Sequence, residues 1–228
     1  PGAWTFVTMS DEYMLGGTYT GLVLYRKEKG QWVFDRKLDG LKESCRIMVK
    51  DEDQSIWISH PYRGVYNVRW NAGNKDKIDI RFFNQENGLP TNLNNYVFQI
   101  AGKAVFATEK GVFHFDRSKD TFVPDDDFNR LLDKQHRVRY LREDTKGNVW
   151  YVTDHEAGML IVNDFGLKKE VRKKVIPELA GKLVGGFEFL LPIDGHNMII
   201  GTEQGFIHYA LDEEDQSDTL PQIILSNI

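Results

Sequence analysis

The chain has 228 residues, of which 41% are hydrophobic and 28% are charged, which is the composition of a folded soluble protein rather than a disordered one. With 29 basic and 34 acidic residues the formal net charge is −5, so no overall positive field attracts nucleic acid and we expect no nucleic-acid partner for this segment. No stretch approaches the roughly 18 consecutive apolar residues that a membrane-spanning helix needs, so membrane attachment is expected only through a longer parent chain.

The sequence begins at Pro1 with neither an initiator methionine nor a signal peptide, and we interpret it as a piece of a longer protein. Its one cysteine, Cys45, can form neither an internal disulfide nor a zinc site. Cysteine use therefore leaves the redox compartment open.

A glycine followed by an apolar and aromatic strand recurs five times, at spacings of 43, 47, 47 and 47 residues. These glycines are Gly21, Gly64, Gly111, Gly158 and Gly205. A short apolar run ends just before each glycine, and threonine closes four of the five runs, while His60 closes the other. One strand precedes each run and a fourth strand follows the glycine strand, an arrangement typical of a β-propeller blade.

The sequence therefore predicts an all-β chain with five four-stranded blades of a β-propeller. The blades are expected at about 1–40, 41–87, 88–133, 134–182 and 183–211. Helical turns are expected only at 126–134 and 173–181, between blades. Four tryptophans on the strands, Trp4, Trp32, Trp57 and Trp150, are predicted to lie in the core, because the contacts between blades bury large side chains.

One repeat carries a full signature, Asp-x-x-Gly-x-apolar-Trp-apolar-x-Thr followed by glycine, formed by Asp144, Gly147, Trp150, Thr153 and Gly158. The second repeat matches it partly, at Asp51, Trp57 and Gly64, and the segment Glu86-Asn87-Gly88-Leu89-Pro90 leads into the third repeat. Over nearly the whole chain these repeats resemble those of the two-component regulator propeller family.

The resemblance implies a periplasmic sensor domain of an inner-membrane regulator, either a hybrid histidine kinase or a membrane-tethered transcription factor, which often responds to glycan fragments. Family propellers usually carry seven blades, so the five units are expected to belong to a larger ring, with a closed five-bladed ring as the alternative. The tail resembles the first strand of the triple-tyrosine immunoglobulin-like domain that follows such propellers. Residues 212–228 are accordingly predicted to be a linker and that strand. The partners implied are neighbouring blades and the triple-tyrosine domain of the same parent chain, and a second copy in a homodimer.

The loops between the second and third strands carry the groups best suited to hold a ligand. In a propeller they lie on the same rim as the loops that lead into each blade, and loops on a rigid scaffold commonly carry function. A carbohydrate or another small polar ligand could stack and form hydrogen bonds there, with an ordinary solvated rim as the alternative. The predicted ligand-binding residues are Tyr19, His60, Tyr62, Arg63, Asn94, Asn95, Lys110, Arg137, Asp154, His155 and Glu156.

The sequence indicates no catalytic residue, no cofactor and no metal site. The six histidines lack metal-ligand spacing, and the acidic runs at 125–127 and 212–215 lack the order of a calcium loop. No nucleophile elbow, phosphate loop or dinucleotide fingerprint is present. We therefore predict a non-catalytic sensor domain. Two alternatives remain open: a propeller enzyme acting on glycans, either a glycosidase or a lyase, and a protein-interaction scaffold.

Overall fold

The computed structural model of the chain describes residues 2–71, 73–132, 136–165, 168–194, 196–211 and 224–225. It contains five four-stranded antiparallel sheets, each formed by strands that are consecutive in the sequence. These sheets are the blades of a β-propeller, as the repeat spacing predicts.

The strand bounds are as follows. Blade 1 contains β1 (Thr5–Thr8), β2 (Tyr13–Thr18), β3 (Gly21–Glu28) and β4 (Gln31–Lys37). Blade 2 contains β5 (Ile47–Lys50), β6 (Ile56–His60), β7 (Gly64–Asn71) and β8 (Asn74–Phe83). Blade 3 contains β9 (Tyr96–Ile100), β10 (Lys103–Thr108), β11 (Gly111–Asp116) and β12 (Thr121–Pro124). Blade 4 contains β13 (Val138–Glu143), β14 (Val149–Thr153), β15 (Ala157–Phe165) and β16 (Lys168–Val175). Blade 5 contains β17 (Leu190–Pro192), β18 (Asn197–Thr202), β19 (Gly205–Ala210) and β20 (Ile224–Leu225).

Helical structure among these residues is limited to the connections between blades, but the segment at Gln85–Asn87 lies outside the two regions where helical turns are expected. One α-helix, α1 (Asp126–Leu132), follows blade 3, and two short 3₁₀ turns lie at Gln85–Asn87 and Pro177–Leu179. None of these helices is long and apolar enough to cross a membrane.

The chain divides into two compact units, residues 1–137 with blades 1 to 3 and residues 138–228 with blades 4 and 5. In the first unit, one apolar cluster joins blades 1 and 2 through Leu15, Leu24 and Ile58, and a second joins blades 2 and 3 through Trp57 and Phe106. In the second unit, a cluster around Trp150 joins blades 4 and 5. Packing between blade faces therefore forms the core of each unit.

The threonine that closes the second strand has a specific role in the turn that follows. The Oγ1 of Thr18 donates to the carbonyl oxygen of Gly21 at 2.9 Å and accepts from the backbone N–H of Thr20 at 3.2 Å. Thr108 and Thr202 make the same pair of bonds, and Thr153 makes the equivalent pair with the carbonyl oxygen of Glu156 and the backbone N–H of His155. In blade 2, the ring Nδ1 of His60 accepts the corresponding backbone N–H, that of Tyr62, at 3.3 Å. A side chain that can bond the turn backbone is thus required at this position.

The aspartate and tryptophan of the repeat signature form a buried hydrogen bond. Trp57 Nε1 donates to Asp51 Oδ2 at 3.0 Å, and Trp150 Nε1 donates to Asp144 Oδ2 at 3.3 Å. Trp57 and Trp150 are 1% and 0% exposed, as predicted for core residues. A buried indole N–H needs an acceptor, which explains why aspartate stands six residues before each of these tryptophans.

The prediction that Trp4 and Trp32 belong to the core is wrong. Trp4 is 44% exposed and lies just before β1, and Trp32 is 37% exposed on the outer strand β4. The outer strand of a blade has only one neighbouring strand, and in β4 nearly every side chain faces solvent. Strand membership alone therefore does not determine burial at the ends and edges of a blade.

The tail contributes a fourth strand to blade 5. Ile224 and Leu225 pair with His208 and Ile207 of β19. The rest of the segment predicted as a linker and the first strand of a following domain, 212–223 and 226–228, lies outside the described residues. The domain boundary stays a prediction.

A Gly64→Ala substitution should destabilise the protein more than Gly30→Ala. Both glycines have positive φ, 121° and 84°, so each alanine would carry a backbone cost of about 1–2 kcal/mol. At Gly64 an added Cβ would also lie 2.3 Å from the carbonyl oxygen of Phe83, whereas at Gly30 it meets nothing within 4 Å. We expect a further loss of about 1–3 kcal/mol at Gly64. Urea denaturation of the three proteins measures the difference, and equal losses for both variants would contradict this account.

Candidate functional site

Loops of blades 2 and 3 that carry predicted rim residues meet at one end of these blades. The loop that leads into blade 3 contacts the β6–β7 loop directly, because the backbone N–H of Asn94 donates to the carbonyl oxygen of Pro61 at 2.9 Å. The side chain of Asn94 reaches the β10–β11 loop, where its Nδ2 donates to Glu109 Oε1 at 2.8 Å. In blades 2 and 3, the loop that leads into a blade and the loops between second and third strands therefore lie on one rim, as predicted.

A three-membered charged network lies at the centre of this rim. Arg63 Nη1 pairs with Glu43 Oε1 at 2.6 Å, and His60 Nε2 lies 3.4 Å from Glu43 Oε2. Arg63 remains largely exposed, whereas His60 is mostly covered. Burial lowers the pKa of His60 below its ordinary value of 6.5, Glu43 opposes this effect, and Arg63 adds to it. The imidazole is therefore mainly neutral at pH 7, and the Glu43–Arg63 pair leaves the network without net charge.

Beside this network, the rings of Trp4 and Tyr19 form an exposed aromatic platform, and the Arg46 guanidinium lies over the Trp4 ring. The rings of Trp4 and Tyr19 are 4.5 Å apart between centroids, and the Arg46 guanidinium lies 5.8 Å from the Trp4 ring centroid. Tyr19 is 64% exposed. The segment leading into blade 2 carries both Glu43 and Arg46, so one short stretch connects the platform to the charged network. Trp4 thus belongs to the rim instead of the core.

Asn94 and Asn95 differ in their roles, although they are neighbours. Asn94 has positive φ, 56°, and its amide also accepts a hydrogen bond from the Tyr96 hydroxyl at 3.3 Å. Asn95 is fully buried, and its Nδ2 donates to the carbonyl oxygen of Thr91 at 2.8 Å. Contrary to the prediction, Asn95 therefore does not lie on the rim surface. Asn94 positions the loop by binding Glu109 and Pro61.

Of the remaining predicted residues of this unit, Lys110 and Arg137 are separate from the network, whereas Tyr62 lies next to His60. Lys110 is exposed in the β10–β11 loop, where its backbone N–H bonds to Thr108. Arg137 is half-buried, and among the described residues its Nε has no hydrogen-bond partner. Tyr62 is 73% exposed, and its ring lies 6.2 Å from that of His60 between centroids. Tyr62 is therefore a more accessible group for a ligand than Arg137.

In the second unit, the predicted residues Asp154, His155 and Glu156 lie in the β14–β15 loop. Asp154 and His155 are exposed. Glu156 accepts from the Tyr151 hydroxyl at 3.0 Å and pairs with Lys173 Nζ at 2.5 Å. Burial raises the pKa of Tyr151 above its ordinary value, and the Glu156 carboxylate adds to this effect. Glu156 is thus held within its own blade.

Three residues of the rim were missed by sequence reasoning: Trp4, Glu43 and Arg46. Trp4 was assigned to the core from its place near a strand, and the other two lie in a connection without a motif. None of these three residues stands at a regular spacing in the sequence that would indicate a site. Within the described ranges no group of three or more histidine, cysteine, aspartate or glutamate side chains is arranged to hold a metal ion.

No protein-family model matches this sequence, and no curated protein matches it either. Solved structures do match. The extracellular domain of a hybrid two-component system from B. thetaiotaomicron is similar with a TM-score of 0.64 at 18% identity, covering 99% of this chain and 27% of that one. A second structure of that domain, named as part of a one-component system, gives 0.61 at 19% identity, covering 99% and 28%. The chain thus spans just over a quarter of the length of these relatives.

A protein from Bacteroides uniformis named as a 6-phosphogluconolactonase is also similar, with a TM-score of 0.52 at 12% identity, covering 96% of this chain and 68% of that one. At identities of 12–19% these likenesses concern the fold. They agree with the resemblance to the two-component regulator propeller family that the repeats indicate.

The titration of His60 tests the charged network. In the folded protein we expect its pKa to lie below 6.5, so the unfolded chain takes up the proton more readily and stability falls as the pH drops through about 6.5. Glu43→Gln should lower the His60 pKa further, and Arg63→Ala should raise it, because each change removes one of the two nearby charges. NMR titration of the imidazole signals measures all three values.

Glu52→Gln is the matched control, because Glu52 lies in the β5–β6 turn at the other end of the blade and should leave the His60 pKa unchanged. A His60 pKa above 6.5, or shifts of the opposite sign in the two variants, would show that the network is not formed as described.

Proposed function

We propose that this chain is a non-catalytic sensor domain of a bacterial signal-transduction regulator, located in the periplasm. It binds a small polar ligand, such as a glycan fragment, on the rim of blades 1 to 3, and it relays binding to a membrane-anchored kinase or transcription factor through the parent chain. The observation that carries this proposal is the exposed Trp4–Tyr19 platform beside the Glu43–Arg63 pair.

The chemistry of the rim favours a hydroxyl-rich ligand. Exposed aromatic rings offer an apolar surface on which the C–H face of a sugar can stack, and the tilted Trp4–Tyr19 pair presents two such rings. Glu43 and Arg63 are already paired, so adjacent hydroxyl groups can donate to the carboxylate and accept from the remaining guanidinium N–H groups without breaking the pair. Because the pair carries no net charge, a neutral ligand is favoured over an ion.

The similarity to extracellular domains of two-component systems supports the location and the role. Those relatives are almost four times as long as this chain, so the relay depends on parts of the protein outside it. A propeller rim also suits protein partners, and a scaffold role predicts binding of a protein instead of a saccharide.

Arg63→Ala should weaken binding of a glycan by about 1 to 3 kcal/mol while leaving the fold intact, because hydrogen bonds to a charged group are worth roughly this much and Arg63 lies in an exposed loop. Tyr19→Ala should weaken binding through loss of the stacking surface. Isothermal titration calorimetry of the purified chain against a panel of oligosaccharides measures both effects.

Arg26→Ala is the matched control, since Arg26 is an exposed, paired arginine of blade 1 on β3 and lies away from the β2–β3 loop. The ligand would lie in the second unit if the Arg63 and Tyr19 variants kept their affinity for the glycan while Asp154 or His155 variants lost it. Chromatography of the same mixtures tests for product formation, and turnover of any oligosaccharide would contradict the non-catalytic assignment.

We further propose that the blades belong to a larger propeller. Blade 1 exposes Phe6 and Phe34 on either side of Tyr25, and blade 5 exposes Phe189, Leu191 and Ile193 at alternate positions. Exposed apolar area costs roughly 25 cal/mol per Å², and patches of this kind are commonly covered by a partner.

A longer chain, extended upstream by about 90 residues or two repeats, should therefore melt at a higher temperature than residues 1–228. Scanning calorimetry with sedimentation analysis measures this. Equal melting temperatures and a monomeric short chain would favour a closed five-bladed ring.

A further inference from the structure

A cavity of about 470 Å³ lies between blades 2 and 3, at the end of these blades opposite the rim. Its position follows from the topology, because the β5–β6 and β11–β12 turns contribute to it, whereas the β6–β7 and β10–β11 loops form the rim. The volume falls within the range of small-molecule sites. It is lined by Asp53, Trp57, Asn67, Arg69, Asp79, Ile80, Arg81, Phe83, Phe115, Arg117 and Asp120.

Aromatic rings form the floor of this cavity. Trp57, Phe83 and Phe115 contact one another, with centroid distances of 5.0 to 5.3 Å. Trp57 and Phe83 are buried, and Phe115 is partly buried. The floor is therefore part of the core between the two blades.

The walls consist of aspartates and arginines that pair with one another. Arg69 Nη2 donates to Asp53 Oδ2 at 2.8 Å, and Arg81 Nη2 donates to Asp120 Oδ2 at 2.6 Å. Burial alone would raise the pKa of Asp53, but hydrogen bonds from Ser55 and the contact with Arg117 outweigh it and hold the pKa below its usual value. This carboxylate is therefore ionised at neutral pH.

Arg117 is held more firmly than the other two arginines. Its Nη2 donates to the buried Asp51 Oδ2 at 2.6 Å, and its Nε lies 3.4 Å from Asp53 Oδ2. Arg81 is fixed differently, since its guanidinium lies 4.8 Å from the ring centroid of Phe83. The polar groups of the wall are thus oriented before any ligand arrives, which reduces the entropy cost of binding.

The charges around the cavity argue against an anionic ligand, although three arginines line it. The three lining aspartates Asp53, Asp79 and Asp120 balance these arginines, and Asp51 beneath them adds a further negative charge. An anionic ligand would therefore meet an excess of negative charge. Each guanidinium has five N–H donors and each carboxylate about four acceptor sites, so the pairs formed by Arg69 and Arg81 leave capacity on both partners.

We propose that this cavity binds a small neutral ligand with adjacent hydroxyl groups, of the size of a mono- or disaccharide. The hydroxyl groups accept from the free N–H groups of Arg69 and Arg81 and donate to Asp53 and Asp120, while the apolar face of the ligand lies toward Ile80 and Phe115. The site is separate from the rim, so the proposal does not depend on the function proposed there.

The test is a titration of the ¹⁵N-labelled chain with glucose, galactose, xylose, arabinose, maltose and cellobiose, observed at the arginine Nε–H signals. We expect at least one saccharide to shift the Arg81 signal saturably at millimolar concentrations. Asp120→Asn, followed at the Arg81 signal, and Arg81→Gln, followed at the Arg69 signal because the variant lacks its own, should each weaken binding roughly ten-fold, through loss of one hydrogen bond to a charged group. Both residues are exposed, so the fold should survive the changes.

Two control variants, and parallel titrations with glucuronate, glucosamine and phosphate, make the result decisive. Arg130→Gln removes an arginine from another exposed ion pair of the same unit, with Asp127, and should leave the response unchanged. Arg63→Ala at the rim should also leave it unchanged, and if that variant abolishes the response, the saccharide binds at the rim and the proposal is wrong. The proposal is equally overturned if no saccharide gives a saturable shift, or if only glucuronate, glucosamine or phosphate does.

Discussion

The buried carboxylate of Asp51 organises the junction of blades 2 and 3. It accepts hydrogen bonds from the backbone N–H groups of Glu52 and Ala104, both at 2.9 Å, from Trp57 Nε1 at 3.0 Å and from Arg117 Nη2 at 2.6 Å. Ala104 and Arg117 belong to blade 3, so one side chain of blade 2 binds the next blade at two points. A buried charge that lost these partners would cost several kcal/mol, which makes this network a constraint on the packing of both blades. The orientation of Trp57, and with it the floor of the cavity, depends on the same carboxylate.

The two ends of the blades meet different physical requirements. At the rim, a threonine hydroxyl bonds the turn after the second strand, and the histidine of blade 2 does so through its ring nitrogen. Because His60 satisfies the turn with Nδ1, its Nε2 is left to face Glu43. Histidine at the position of the repeat threonine thus keeps the turn intact and also places a titratable group on the rim. The opposite end instead carries paired aspartates and arginines, which fix one another in place.

The repeat signals in the sequence located most of the architecture, and the physical reasons are now visible. Gly64 has positive φ and lies against the Phe83 carbonyl, Thr18 bonds its own turn, and Trp57 needs the carboxylate of Asp51. These are local requirements, so they recur at fixed spacing. The rim was located only in part. Asn95 was expected to face a ligand and is buried, whereas Trp4 was expected in the core and is exposed. Whether a side chain at the end of a strand is buried depends on which loops pack over that end. The repeat spacing in the sequence does not indicate which loops these are.

The sequence by itself determined the class of fold, the number of blades within the chain and the identity of the loops that share the rim, because each of these follows from hydrogen bonds and backbone angles within one repeat. Only the tertiary structure decided which side chains meet. Glu43 pairs with Arg63 across 20 residues, Asn94 with Glu109 across 15, and Arg117 with Asp51 across 66. Arg117 meets Asp51 because neighbouring blades bring their turns together, whereas the other two pairs join the loop that leads into a blade to a later loop of the same blade. Which side chains reach one another depends on packing that a repeat pattern does not encode.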